Sequence, residues 1–394
     1  MTDPRYTNRG FGLKQVVGGT VVRDYASPLV DRMREEGYRL EASDLTFHLA
    51  QEFGFCYGVD RAIEYAYETR EKFPGRDLFI TGEIIHNPRV NAKLTSMGIR
   101  FLDGSDESAT YEALGESDVV LLPAFGVPVG TMERLRGIGC IVVDTTCGSV
   151  LNVWKNVERY AKDGFTSLIH GTWHHEETRA TSSRAGRYVV VRDMDEVELL
   201  ARHVEEGDRA EEIRTRLSQA VSPGFDPGRD LERIGCANQT TMLAGESLAI
   251  AARMRRAFVL RHGEAGAAER FRAFDTICSA TQERQDALEA MLDRTGLDVL
   301  VVVGGYNSSN TTHLLEIGLS RHVPTFHVAD ASAIASATAI RHQPLHARAE
   351  VESRGWLPAG PASIGLTAGA STPNASLERV IRRIAEVRGV ALPS

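Results

Sequence analysis

Three cysteines carry the strongest chemical signal in the chain. Cys56, Cys147 and Cys278 each sit in a short turn leading straight into a predicted helix, in the passages GFCYGVDRAIEYA, DTTCGSVLNVWKNV and DTICSATQERQDAL. A helix N-terminus carries partial positive charge and unpaired backbone N–H groups, so a thiol placed there ionises more readily. Three thiolates drawn from distant segments could converge on one soft metal site. Such a set suits a 4Fe-4S cluster, which usually has four cysteine ligands; a missing fourth leaves one iron open to a substrate oxygen. Zinc competes, but it favours short ligand pairs such as Cys-x₂-Cys, and none occurs. A Cys-x₃-Cys-x₂-Cys run is also absent, which argues against a radical S-adenosylmethionine enzyme. The plainer reading of any single cysteine, a small buried hydrophobe, stays open on spacing alone.

Two polar loops could hold an anion. Ser308, Ser309 and Asn310 in YNSSNTT follow a glycine pair and enter a predicted helix, the layout of an anion nest. Ser371 in GASTP takes the same place before the last helix, where Pro373 fits a first-turn position. Ordinary N-capping explains both loops equally well and is compatible with anion binding.

The elements that must position these residues alternate. Strands are predicted at 77–80, 118–124, 140–144, 166–170, 188–191, 298–304, 324–328 and 364–367. Several are unbroken Val/Ile/Leu runs, suited to strands buried on both faces of a parallel sheet. Helical periodicity falls at 59–72, 150–162, 282–294 and 376–387. Alternation of this kind predicts an α/β fold with helices covering mostly parallel sheets. The repeated cysteine–helix passages further predict three similar α/β units, each offering one cysteine. The expected organisation is an N-terminal extension over 1–45, a first unit over 46–146, a second over 147–277 with a charged insertion near 203–232, and a third over 278–394. Residues 341–362 read as an irregular polar stretch.

Composition narrows the partners. With 394 residues the chain can bury more than one core, and 42% hydrophobic with 25% charged residues is ordinary for a globular protein. A net charge of −8 argues against nucleic-acid or anionic-membrane binding. No apolar run approaches the roughly 20 residues of a membrane span. The opening MTDPRYTNRG offers no apolar segment for a secretory signal, so the expected compartment is the cytoplasm. Five cysteines spread along the chain make a poor disulfide framework, and a reducing compartment leaves them as thiols or ligands.

The cysteine passages resemble those of the 4-hydroxy-3-methylbut-2-enyl diphosphate reductases, the LytB/IspH family. GFCYGVDRAI resembles the first cysteine motif and GEIIHNPRVNAKL the segment after it, while DTTC and DTICSATQERQ resemble the second and third motifs. NQTTM, GGYNSSNTTHL and TAGASTPNASL resemble the substrate loops, in the same order. The NRGFG start, HGTWHHEET and the length resemble the long plant and cyanobacterial type, expected here without a transit peptide.

The resemblance implies a trefoil-like, pseudo-threefold arrangement of three α/β units around a 4Fe-4S cluster held by Cys56, Cys147 and Cys278, with one open iron site. It implies two-electron reductive removal of an allylic hydroxyl, giving isopentenyl and dimethylallyl diphosphate plus water. The open iron would bind the departing hydroxyl as a Lewis acid. His86 matches the first diphosphate histidine. His175 and Glu177 match the histidine and proton-relay glutamate, although His174 and Glu176 share that spacing; the longer HGxxxHEET pattern favours the former pair. Thr240 matches the threonine that positions the hydroxyl. Many bacterial members carry a diphosphate histidine in an Ala-His-Gly-Val turn, where this chain has Phe125. Cys140 and Cys236 match no ligand motif. The expected electron donor is a ferredoxin or flavodoxin; such carriers are acidic, so a local basic patch must offset the net charge. The rivals are an aconitase-like hydro-lyase, which needs no reductant, a non-catalytic iron–sulfur sensor, and a structural zinc protein.

Overall fold

A computed structural model describes all residues except 1–4, 103, 105, 275 and 394. Asp275 of the third cysteine passage and the first residues of the 1–45 segment therefore lie outside the described residues. The chain forms two compact units. The first comprises Met1–Asn8, Arg76–Gly82 and Phe101–Cys278; the second comprises Arg9–Gly75, Glu83–Arg100 and Ser279–Ser394.

The first unit contains two parallel sheets. In one, Tyr6–Thr7, Ile141–Asp144, Val119–Leu122 and Leu78–Ile80 lie side by side. In the other the order is Phe271–Ala273, Ile234–Asn238, Thr166–His170 and Tyr188–Val191. Val119–Leu122 and Thr166–His170 are buried at every position. For Val119–Leu122, spelled VVLL, that two-sided burial is what its unbroken apolar character predicts, whereas Thr166–His170, spelled TSLIH, is buried with three polar residues in it. Helix Gly148–Lys162 buries Val150, Val153, Trp154, Val157 and Tyr160, one stripe at helical spacing. Gly235 lies flat beneath the Tyr160 ring, which a Cβ there would meet at 2.5 Å.

The second unit is built on a five-stranded sheet, Thr325–Val328, Val299–Val303, Ala362–Ala368, Leu45–Leu49 and Arg39–Ala42, parallel except for the last strand. Its core gathers Phe47, Val301, Ile364, Leu366 and Ile381 with Met33 and Trp356. Residues 39–49, expected in and beside an N-terminal extension, thus pair with the final predicted strand. The stretch 341–362 is more ordered than expected: Ala339–His342 and Val351–Arg354 form an antiparallel hairpin. Three sheets, parallel but for the strand Arg39–Ala42, with alternating helices bear out the α/β class. Among the described residues no helix is long and apolar enough to cross a membrane.

Candidate functional site

Each unit assembles its own share of the expected site. In the first unit, Cys147 caps helix Gly148–Lys162 in extended conformation, φ −62° and ψ 144°. Its N–H donates to the Ala124 carbonyl at 2.9 Å. Upstream, the Asp144 carboxylate accepts from the Thr146 N–H at 2.9 Å, a local turn that swings the chain from strand into helix. Ser149, in the first turn of that helix, donates its hydroxyl to the Cys278 sulfur at 3.5 Å. Two of the three expected ligand segments therefore meet within one unit.

The Cys278 segment is fastened from behind. Its N–H donates to the Thr240 carbonyl at 3.3 Å. Two residues earlier, the Thr276 hydroxyl donates to the Asn238 side-chain oxygen and accepts from the Asn238 N–H. Thr240 also faces Glu177, which is buried at 1% exposure. One Glu177 oxygen accepts from the Thr240 N–H at 2.6 Å and the other from the Thr240 hydroxyl at 2.9 Å. Glu176, the neighbouring candidate, is exposed. His175 caps helix Glu176–Ser182, its Nδ1 accepting from the Glu177 N–H at 3.2 Å. An accepting Nδ1 puts the neutral ring's proton on Nε2. Phe125 meets the His175 ring edge-on, centroids 5.6 Å apart. The residue expected to stand where many bacterial members carry a histidine thus packs against a histidine of this chain.

Gln239 ties these loops together. Its oxygen accepts from the Thr172 N–H at 3.1 Å and the Thr178 hydroxyl at 2.9 Å, and its amide donates to Thr241 at 2.7 Å. A Cβ at Gly171 would meet Thr178 at 2.9 Å and Gln239 at 3.0 Å, which explains the glycine in HGTW. Gln239, Thr276 and Ser149 are positioning residues that sequence reasoning did not single out.

The second unit holds Cys56 and the anion loops. Cys56 caps helix Tyr57–Lys72 and donates its N–H to the Ala370 carbonyl at 3.2 Å. The Ala370 N–H in turn donates to the Asn310 side-chain oxygen at 2.9 Å. One residue thereby links a cysteine turn to an anion loop. Ser308 caps helix Ser309–Ser320, accepting from the Thr311 N–H at 3.4 Å, and Ser309 opens the helix. Asn310 is buried, and its amide nitrogen has no hydrogen-bond partner among the described residues. A buried donor left unmatched costs roughly 1–3 kcal/mol, which an incoming acceptor would recover.

His86 is buried in the same unit, its Nδ1 at 2.9 Å from a Glu83 oxygen and 3.1 Å from the Asn307 amide nitrogen. Ser371 differs from expectation. Helix Asn374–Arg388 starts after Pro373, which occupies the cap, and the Ser371 hydroxyl donates to the His86 carbonyl at 3.1 Å. Gly305 lies against that carbonyl, where a Cβ would sit 2.5 Å away.

The thiols divide by environment. Cys56, Cys147 and Cys278 are half-buried. Each directly precedes a helix. Cys140 and Cys236 are buried in sheets or against them, and burial pushes both thiols up, Cys236 to about 12. Helix-end thiols, one of them (Cys278) with a hydroxyl donor at sulfur, fit an anionic, thiolate-bound metal group; the two buried thiols do not.

The family model described as LytB protein matches residues 47–385. The chain belongs to the LytB family. A 4-hydroxy-3-methylbut-2-enyl diphosphate reductase from Gloeobacter violaceus is 47% identical over 99% of this chain and 94% of its own length. One from a Synechococcus strain is 45% identical over 98% and 96%. A solved structure of (E)-4-hydroxy-3-methyl-but-2-enyl diphosphate reductase, described as the terminal enzyme of the non-mevalonate pathway, is 26% identical. It covers 86% of this chain and 99% of its own, with a TM-score of 0.51. The Plasmodium falciparum reductase aligns at TM-score 0.65 with 21% identity, over 86% and 87% of the two chains, and speaks for the fold alone. The LytB resemblance drawn from seven short motifs is borne out over nearly the whole chain.

Proposed function

We propose that this chain carries out the reaction its relatives are named for, reductive dehydroxylation of 4-hydroxy-3-methylbut-2-enyl diphosphate to isopentenyl and dimethylallyl diphosphate. Two electrons and two protons enter, the allylic C–O bond breaks, and water leaves. Cys56, Cys147 and Cys278 would hold a 4Fe-4S cluster, which when bound supplies the electrons and a Lewis-acidic iron with an open coordination site.

The remaining chemistry belongs to the chain's own side chains. Hydroxide is a poor leaving group, so a proton must reach the departing oxygen. Glu177 is buried away from bulk water and bonded at both oxygens to Thr240, and Thr240 continues through its carbonyl to the Cys278 N–H. This link between an acid and a cysteine ligand is the observation that carries the proposal. Glu177 supplies the proton, and the Thr240 hydroxyl orients the substrate oxygen and passes the proton on. His175 presents Nε2–H toward the substrate. His86, Ser308, Ser309, Asn310 and Ser371 hold the diphosphate, whose charge needs several donors once out of water.

A ferredoxin or flavodoxin would supply electrons one at a time. Arg159, Arg233 and Arg272 gather around Asp163 in the first unit and hold its carboxyl low, a basic patch suited to an acidic carrier. Five free thiols suit a cytoplasmic setting.

The deciding experiment is an anaerobic assay with the hydroxylated diphosphate and a chemical reductant, alongside metal analysis. Expected are iron near four per chain and turnover that requires the reductant. Stoichiometric zinc, or turnover without reductant, overturns the proposal. Serine at Cys56, Cys147 or Cys278 is expected to deplete iron, whereas alanine at Cys140 or Cys236 leaves it in place.

A further inference from the structure

Arg284 is a buried cation with no carboxylate in hydrogen-bond or ion-pair contact among the described residues. It lies in the second turn of helix Ser279–Arg294 and is 3% exposed. One terminal nitrogen donates to the Gly54 carbonyl at 2.7 Å and the other to the Ala280 carbonyl at 2.6 Å, while Nε has no partner. Among the described residues it makes no ion pair. Asp60, whose carboxyl burial pushes up, feels the Arg284 charge without being bonded to it.

A guanidinium taken out of water costs several kcal/mol unless negative charge answers it, and two neutral carbonyls are a partial answer. The place where the charge is spent is informative. Gly54 stands two residues before Cys56, in a left-handed conformation with φ +81°. Its Cβ position is closed by the Asn374 side chain at 2.6 Å, so this turn is fixed from both sides. The Arg284 charge is therefore anchored to the turn that presents the Cys56 thiol.

Resting on the cluster assignment above, we infer that Arg284 is a positioning residue that braces the Cys56 turn and serves as the buried counter-charge of the thiolate-bound cluster, setting its reduction potential. A thiolate-ligated iron–sulfur core is anionic and gains one more negative charge with each electron accepted from the low-potential donor. A fixed positive charge in a poorly screened site favours that reduced state and raises the potential.

The test is an anaerobic redox titration of the cluster-loaded protein, followed by electron paramagnetic resonance and visible absorption, with iron counted per chain. Arg284→Gln is expected to lower the ratio of reduced to oxidised cluster at the parent's midpoint about tenfold, equivalent to about 59 mV for one electron. Arg284→Lys keeps the charge and is expected to stay near the parent. If both variants lose iron alike while the remaining clusters keep the parent potential, Arg284 is only a strut and the inference falls. Should Arg284→Gln hold no cluster, Arg284→His gives the reading. Its potential, relative to the parent, is expected to drop as pH rises through the histidine range, and a pH-independent difference overturns the counter-charge role. A parent protein that binds no iron–sulfur cluster defeats the cluster assignment itself. A parent with a cluster and an unmoved Arg284→Gln potential defeats this inference alone.

Discussion

The two proposed sets of site residues, one in each unit, would solve different problems with different chemistry. In the first unit one acid is gripped by one neighbour: both Glu177 oxygens are bonded to Thr240. In the second unit no single contact dominates; the proposed diphosphate residues Ser308, Ser309, Asn310, Ser371 and His86 would spread the work over neutral groups. Proton delivery tolerates little misplacement, so one geometry is fixed in advance. A diphosphate instead asks for many partners, and the second unit keeps at least one of them, the Asn310 amide, unspent.

That contrast sets the ranking of mutational effects. Glu177→Gln keeps the size and the acceptor toward Thr240 but removes the proton. Turnover is expected to fall about 100- to 10,000-fold with iron content unchanged, measured by steady-state kcat and iron per chain. An unaltered kcat would shift the acid role to another residue. Asn310→Asp keeps the acceptor for the Ala370 N–H while replacing the free donor with a negative charge. KM for the diphosphate is expected to rise about 10- to 100-fold with a smaller change in kcat, the cost of a hydrogen bond to a charged group. Equal loss in kcat would mean that the two shares are not separable.

Gly305→Ala probes the same share through shape. The added carbon would press on the His86 carbonyl, and such overpacking typically costs about 1–3 kcal/mol. KM is expected to rise roughly tenfold, and thermal unfolding should come earlier. The mildest effect concerns pH. His327 is buried with Nε2 at 3.0 Å from the Gly304 carbonyl, beside the anion loop. Burial pulls its pKa down to about 4. Between the ordinary histidine value near 6.5 and about 4, the unfolded chain binds the extra proton. Stability is therefore flat above that window and falls as pH drops through it, by up to about 1.4 kcal/mol per unit. Urea unfolding at pH 7 and pH 5 measures it, and His327→Gln should flatten the dependence.

How legible all this was in the sequence follows the range of the interactions. Tyr188–Val191, spelled YVVV, was readable to the residue because an unbroken β-branched run bounded by turns has few other uses, and Thr166–His170, spelled TSLIH, was readable too although only its Leu-Ile centre is apolar. Strand Ile234–Asn238, spelled IGCAN, was not, since glycine, cysteine and asparagine give little local preference and its Thr166–His170 partner supplies the order. The hairpin 39–49 reads as an appendage until its partner strand at the other end of the chain is seen. Within the site, the cysteines announced themselves by sitting before helices, and the Glu177–Thr240 pair came from motif likeness. Gln239 and Thr276 lay inside the quoted motifs NQTTM and DTICSATQERQ but were given no role of their own, because a neutral amide or hydroxyl is common at any surface and only burial reveals its task. Ser371 was placed in the right loop, but its hydroxyl turned to the His86 carbonyl because Pro373 had already taken the cap.

The bond from the Cys56 N–H to the Ala370 carbonyl also dates an event in the life of the molecule. Ala370 follows Cys56 by 314 residues, so the nascent turn lacks the partner that shapes it until that whole stretch has been made.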